Sequence, residues 1–315
     1  MKKKDFISTG KSPGVLLGAA FCIVMFLAGG CSSDSEKDVP QGDGRVPLVV
    51  SSGIDVQTRA HDKTWETGDA IGIYMLSGAG MEAANKLYTT GEESTSGIFA
   101  AAEGNTIYFP IDGTTRDFVA YYPYRDLGEE NTTYTVDVSE QKSQKGIDLM
   151  GAAKETGKHK NDPKVKFVFT HKLVKLALTI QADGSSLTAD KLEGMMVKLS
   201  NQRTQATYDV VTGGSVTVDT QTAPATLVLK TNPKGTSAEG IVLPCDNTQG
   251  MNLEFHLRGG ATYTWAVNKA EKSKQFNAGS KYVYTITIGN TGLDVTSTIE
   301  DWTPGNGSGE SGSAQ

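Results

Sequence analysis

Cysteine is scarce in this chain, three residues in all, and histidine hardly commoner at four. Cys22 and Cys31 belong to the leader region described below, which leaves Cys245 alone in the body of the protein. A single thiol makes no internal disulfide, so stability has to come from packed cores, and roughly 260 residues suffice for two. Four scattered histidines give no metal cluster, since ligands recur at short spacings. Also missing are a nucleophile elbow, a metal-binding histidine pair and a phosphate-binding glycine loop. The acidic pairs Glu92-Glu93 and Glu129-Glu130 fall in polar stretches and read as solvated charge. No enzyme chemistry and no cofactor are expected. Carboxylates brought together from distant strands leave no sequence trace, so a hydrolase stays as the minor enzymatic alternative.

Long apolar runs are missing too. Val15–Leu27 is short of the ~20 residues that span a bilayer. It follows Lys2, Lys3 and Lys4 and precedes Ala28, Gly29 and Gly30, which together read as a secretory signal peptide over residues 1–30. Cys31 comes next, the position whose thiol a lipoprotein signal acylates. Leu usually stands three residues before that cysteine; here Ala28 does, with Leu27 one place further out. Acyl chains contribute about 0.8 kcal/mol per buried methylene, so two or three anchor firmly. Residues 31–45 are polar and read as a flexible tether. Its acidic residues after Cys31 either resemble a surface-export signal or are a plain spacer.

Positive charge is the other shortage. The whole chain carries a net charge of −6. Without residues 1–30 it holds 26 Lys and Arg against 35 Asp and Glu, a net of −9. With no basic patch, nucleic acid is excluded as a partner.

What is abundant is alternation. Val46, Leu48, Val50, Ile54 and Val56 share one parity, with Pro47, Ser51, Gly53 and Asp55 on the other. Side chains of a strand alternate faces, so Val46–Val56 reads as a half-buried first strand. Similar runs follow at Ala70–Leu76, Thr106–Phe109, Phe118–Tyr122, Thr133–Val138, Val165–Leu173 and Leu176–Ile180. They continue through Met196–Leu199, Thr207–Val211, Ser215–Val218, Ala225–Leu229, Gly240–Leu243, Leu253–Leu257, Tyr263–Val267, Lys281–Ile288 and Leu293–Ile299. Only Leu187–Glu193 and Glu82–Leu87 look capable of a helical turn. Short strands punctuated by turn residues mean an all-β protein of sandwich or barrel type. The number of strands predicts two domains, residues 46–162 and 163–303, divided in the polar segment Lys154–Pro163; a long loop inside one domain would read alike. Residues 304–315 form a Gly/Ser tail with nothing to pack.

Spaced motifs then resemble the fimbrillin-like family of Gram-negative anaerobes, whose members are type V pilus subunits made as lipoprotein precursors. They are Thr58-Arg59-Ala60 with Trp65 and Gly68–Met75, then Ala120-Tyr121-Tyr122-Pro123-Tyr124 with Asp148–Ala152. Phe167, Phe169, His171 and Leu173 follow, then Phe276, Ala278-Gly279, Tyr282 and Tyr284, closing with Ile299-Glu300-Asp301-Trp302. Their order behind the lipidation motif is what makes the resemblance specific. It implies two tandem transthyretin-like β-sandwich domains. It also implies an outer-membrane, surface-exposed lipoprotein, anchored through lipid on Cys31 and cut by an arginine-specific protease between Arg59 and Ala60. The first strand then leaves, and other pilus subunits join by donor-strand exchange. An exposed loop arginine is the plain alternative at Arg59.

The chain departs from the family at its end. Thr303–Gln315 has no alternating apolar residues to fill a neighbour's groove. Either Leu293–Ile299 doubles as the donor strand, or the protein accepts a strand and gives none, as a tip or accessory subunit would. A monomeric surface lipoprotein binding a host or glycan receptor is the second reading, with Trp65, Tyr88 or Tyr108 as stacking platforms. His171, Trp265 and Trp302 read as core residues.

Overall fold

The computed structural model describes residues 44–54, 65–91, 93, 97–128 and 130–302. Cys31, Arg59, Ala60 and the tail after Trp302 lie outside them. The strands run, in chain order, β1 (Val49–Ile54), β2 (Ala70–Ser77), β3 (Gly80–Thr90), β4 (Ile98–Ala101), β5 (Arg116–Tyr122), β6 (Thr133–Asp137) and β7 (Met150–Ala152). Next come β8 (Glu155–Lys158), β9 (Lys164–His171), β10 (Val174–Ala182), β11 (Met196–Gln202), β12 (Gln205–Asp209), β13 (Thr217–Val218) and β14 (Ala225–Val228). The last are β15 (Lys230–Thr231), β16 (Ser237–Val242), β17 (Asn252–His256), β18 (Thr262–Ala266), β19 (Ser280–Gly289) and β20 (Gly292–Asp301). The all-β expectation holds. In β19 the period is unbroken: Tyr282, Tyr284, Ile286 and Ile288 are fully buried while their neighbours are not.

The first sheet has the order β2-β3-β4-β1-β9-β7-β5-β8, and β2 also pairs with β5. That extra pairing closes a ring of seven strands, so β1 has a hydrogen-bonded neighbour on each side. Inside the ring lies an apolar core containing Val50, Trp65, Ile71, Ile73, Phe118 and Phe167. The outward parity of β2 and β5 sends Tyr74, Val119 and Tyr121 into a second core.

That second core fills the space among the remaining sheets. One has the order β15-β16-β10-β19-β20, another β14-β11-β17-β18, and a third β13-β12-β6. Leu176, Leu178 and Ile286 from the first of these share the core with Leu199, Leu253 and Phe255 from the second. Each part of the protein repeats one pattern. Strand β1 runs parallel to β9 and antiparallel to β4; strand β10 runs parallel to β19 and antiparallel to β16.

Three expectations need correction. Glu82–Leu87 is not helical but lies inside β3, whose ladder with β2 slips between Ile73 and Met75 and again between Met75 and Leu76. Asn85 sits there at φ 44, so the slips mix the parity of the apolar residues and imitate a helical spacing. Leu187–Glu193 does contain a 3-10 turn, Ala189–Leu192. Thr106–Phe109 forms no strand, only an isolated bridge from Tyr108 to Pro47. Finally, the segment Lys154–Pro163 holds β8, which pairs with β5. Strand β9 beyond it stays in the first sheet through β1 and β7, and the change of sheet falls between His171 and Val174. The chain also crosses back: β6, from residues expected in the first half, pairs along its length with β12.

Candidate strand-exchange groove

Strand β1 lies in the wall of the closed sheet. Val50 and Ser51 pair with Phe99 and Ile98 of β4, and Val49 through Ile54 pair with Lys164 through Phe169 of β9. Before the strand proper, Leu48 N–H donates to the Ile107 carbonyl and Phe109 N–H to that of Val46, each at 2.9 Å. The expected strand Val46–Val56 is seen as β1 preceded by the bridge of Pro47 to Tyr108, with Asp55 and Val56 outside the described residues.

The predicted parity is the observed one. Leu48 and Val50 are buried, whereas Val49 is 46% exposed. Ser52 shares the inward face and is fully buried; its hydroxyl finds no partner among the described residues. The floor beneath is aromatic. Trp65 meets Phe99, Phe169 and Tyr122 edge-on, with ring centroids 5.1, 5.3 and 5.3 Å away. Burying Leu48 and Val50 stabilises by about 1.5–3 kcal/mol each. Without β1, the facing edges of β4 and β9 would expose unpaired backbone groups above that floor, a template for another chain's strand.

The sequence motifs resolve into packing. Gly68–Met75 is the turn and strand β2; Asp69 accepts from Tyr122 Oη at 3.1 Å and from Lys145 Nζ at 2.8 Å. Hydrogen bonding from Lys145 also holds Glu66 below its ordinary carboxylate range. His171 is a core residue as expected, its Nδ1 2.8 Å from Asp148 Oδ1. Trp265 and Trp302 are core as well. The stacking platforms are not there: Trp65 and Tyr88 are each 1% exposed, and Tyr88 lies in β3 rather than a loop. Tyr108 is more open, with the Arg45 guanidinium 4.4 Å over its ring. Burial pushes the Cys245 thiol up, which makes it a poor nucleophile at neutral pH. What sequence reading missed is the pairing of β1 with β9, residues more than a hundred positions apart. No helix among the described residues is long and apolar enough to cross a membrane.

Comparison with known proteins agrees with this architecture. The fimbrillin-like family matches residues 58–302. A protein of Bacteroides uniformis named as fimbrium subunit Fim1C is 58% identical over 289 residues, which is 91% of this chain and 94% of that protein. A crystal structure described as a cell adhesion protein, also from Bacteroides uniformis, is 57% identical with a TM-score of 0.77, covering 83% of this chain and 99% of its own. One from Bacteroides ovatus has a TM-score of 0.66 at 24% identity, over 83% of this chain and 99% of its own, a likeness of fold. This chain belongs to the fimbrillin-like family.

Proposed function

We propose that this protein is a fimbrial subunit that gives up its first strand and takes a neighbour's in its place. In this reading the precursor is held at the outer membrane by lipid on Cys31. An arginine-specific protease cuts between Arg59 and Ala60, and β1 leaves with everything before it. The observation that carries the reading is the position of β1 as the chain's first described strand inside a closed ring. A cut in the segment after Ile54 would detach one stave and leave the others covalently joined. The similarity to a protein named as a fimbrium subunit supports the same conclusion.

The subunit is an acceptor at a tip or accessory position. Support comes from β20, which is engaged in its own fold: it pairs with β19 from Gly289↔Gly292 to Ser280↔Asp301. Lending it would strip ten residue pairs from β19, whereas Thr303–Gln315 offers no apolar alternation.

The test is limited proteolysis. Purified protein cut after Arg59 should release the β1 segment and form heat-sensitive, detergent-resistant oligomers when a donor-bearing stalk subunit is added. Arg59→Ala should stay uncut and monomeric. Trimmed protein that keeps the β1 peptide, or ignores every donor strand, would overturn the proposal.

A further inference from the structure

A cavity of about 380 Å³ lies away from β1, between the outer face of the first sheet and the end of β12. Its volume falls in the range of small-ligand sites, roughly 300–1,000 Å³. Val119, Val168, Val210 and Val211 give it apolar walls. Its lining includes Lys154 and Lys172 and no carboxylate.

Two polar groups meet there, a cation and a phenol. Lys172 makes no ion pair and no side-chain hydrogen bond among the described residues, and its ammonium stands 5.9 Å from the centre of the Tyr208 ring. Tyr208 is 2% exposed, and its hydroxyl donates to nothing among the described residues. The nearest acid along the chain, Asp209, is occupied by Thr132 Oγ1 and by the N–H groups of Val211 and Thr212, at 3.0, 3.0 and 2.7 Å. Loss of water around the Lys172 ammonium, with no compensating charge, lowers its pKa. Lys172 is half-buried and both residues line the cavity, so a ligand there meets one cation and one hydroxyl.

The backbone below is cut to fit them. A Cβ on Gly151 of β7 would lie 2.1 Å from Tyr208 Oη and 2.8 Å from Lys172 Cε. The Lys172 stem could swing aside, but the rigid Tyr208 ring could not do so as readily, so glycine is what lets the phenol lie across this strand. Space, charge and a hydroxyl donor are thus assembled by three elements distant in sequence.

We infer that this cavity binds a monocarboxylate with a short branched apolar body, either a free acid or the C-terminal residue of a peptide. The ammonium of Lys172 takes one carboxylate oxygen and the Tyr208 hydroxyl donates to it or its twin, while the valines enclose the body. Charge-assisted bonds of this kind outweigh neutral ones, and the apolar wall selects against inorganic anions. The inference is independent of strand exchange, since β1 contributes nothing to the lining.

The test titrates the full mature protein with isovalerate and, separately, with N-acetyl-leucine, following the amide NMR signals of Gly151, Gly213 and Gly214. Saturable shifts are expected with at least one of them, and the stronger binder tells free acid from peptide end. Isovaleramide and phosphate should leave the signals unmoved. Lys172→Met, which keeps the stem, should weaken binding roughly ten- to a hundredfold. Tyr208→Phe should weaken it about three- to tenfold, and it guards against a fold defect in the first variant. Absence of saturable binding at millimolar concentrations, meaning the cavity holds only water, overturns the inference. So does equal binding by phosphate or by folded Lys172→Met.

Discussion

Trp302 lies flat on His171, with ring centroids 3.9 Å apart and planes 3° from parallel. The contact joins the last described residue, just past β20, to the end of β9 in the other sheet. His171 is fixed at its ring edge by Asp148, and Lys175 stands 6.0 Å over the Trp302 ring. The end of β20 is therefore pinned by stacking as well as by its ladder.

Trp302→Ala should cost about 3–5 kcal/mol of stability, the usual range for deleting a buried indole. Urea unfolding followed by the fluorescence of Trp65 and Trp265 would read it. Trp302→Phe keeps a stacked ring and should lose less. If both variants unfold at the wild-type midpoint, the stack contributes nothing and β20 is held by its ladder alone.

Asp183 gives a prediction in pH. Its carboxylate accepts from the N–H groups of Ser185, Ser186 and Leu187 at 3.1, 2.9 and 2.7 Å. Ser186 Oγ in turn accepts from Asn290 N–H, tying this loop to the β19–β20 hairpin. The Ser186 hydroxyl and then the Leu187 N–H hold the Asp183 carboxyl well below its ordinary 3.8. A depressed folded-state pKa means the unfolded chain binds more protons, so the stabilisation is complete above the ordinary value and lost as pH falls through the folded one. Asp183→Asn should therefore lower Tm at neutral pH, and its deficit should shrink from about pH 5 down to about pH 2. A deficit constant across that window would mean that the shape of the side chain matters and its charge does not.

The sequence made the strands legible wherever one face was clean. β9 and β19 announce themselves through Phe167, Phe169 and His171 and through Tyr282, Tyr284 and Ile286, because a two-residue period is a local signal. The core role of His171 was legible for the same reason. β3 was not, since its bulges shift the parity at Asn85, and β4 was hidden by the short stretch of alanines after Phe99. Pairing partners were least legible of all. That β1 lies along β9, that β6 joins β12, and that β2 closes on β5 are decided by contacts between distant residues. The cavity of Lys172 and Tyr208 has the same origin: Lys172 looks ordinary in the turn after β9 and Tyr208 in β12, and only the fold exposes them as a pair.

Strand exchange makes a prediction that ordinary packing does not. Val50 of β1 and Phe167 of β9 are both buried in the closed sheet, at 1% and 0% exposure. Val50→Ala should cost the uncut protein about 2 kcal/mol, and Phe167→Ala about 3–5 kcal/mol. After cleavage at Arg59 and filling by a donor strand, the two should part company. Residue 50 has left with its strand, so the filled Val50→Ala product should unfold at the wild-type denaturant midpoint. Phe167 remains in the groove floor, so its variant should stay weak in both states and should also bind the donor less tightly. A Val50→Ala product that is still destabilised after filling would mean that β1 never left its place between β4 and β9.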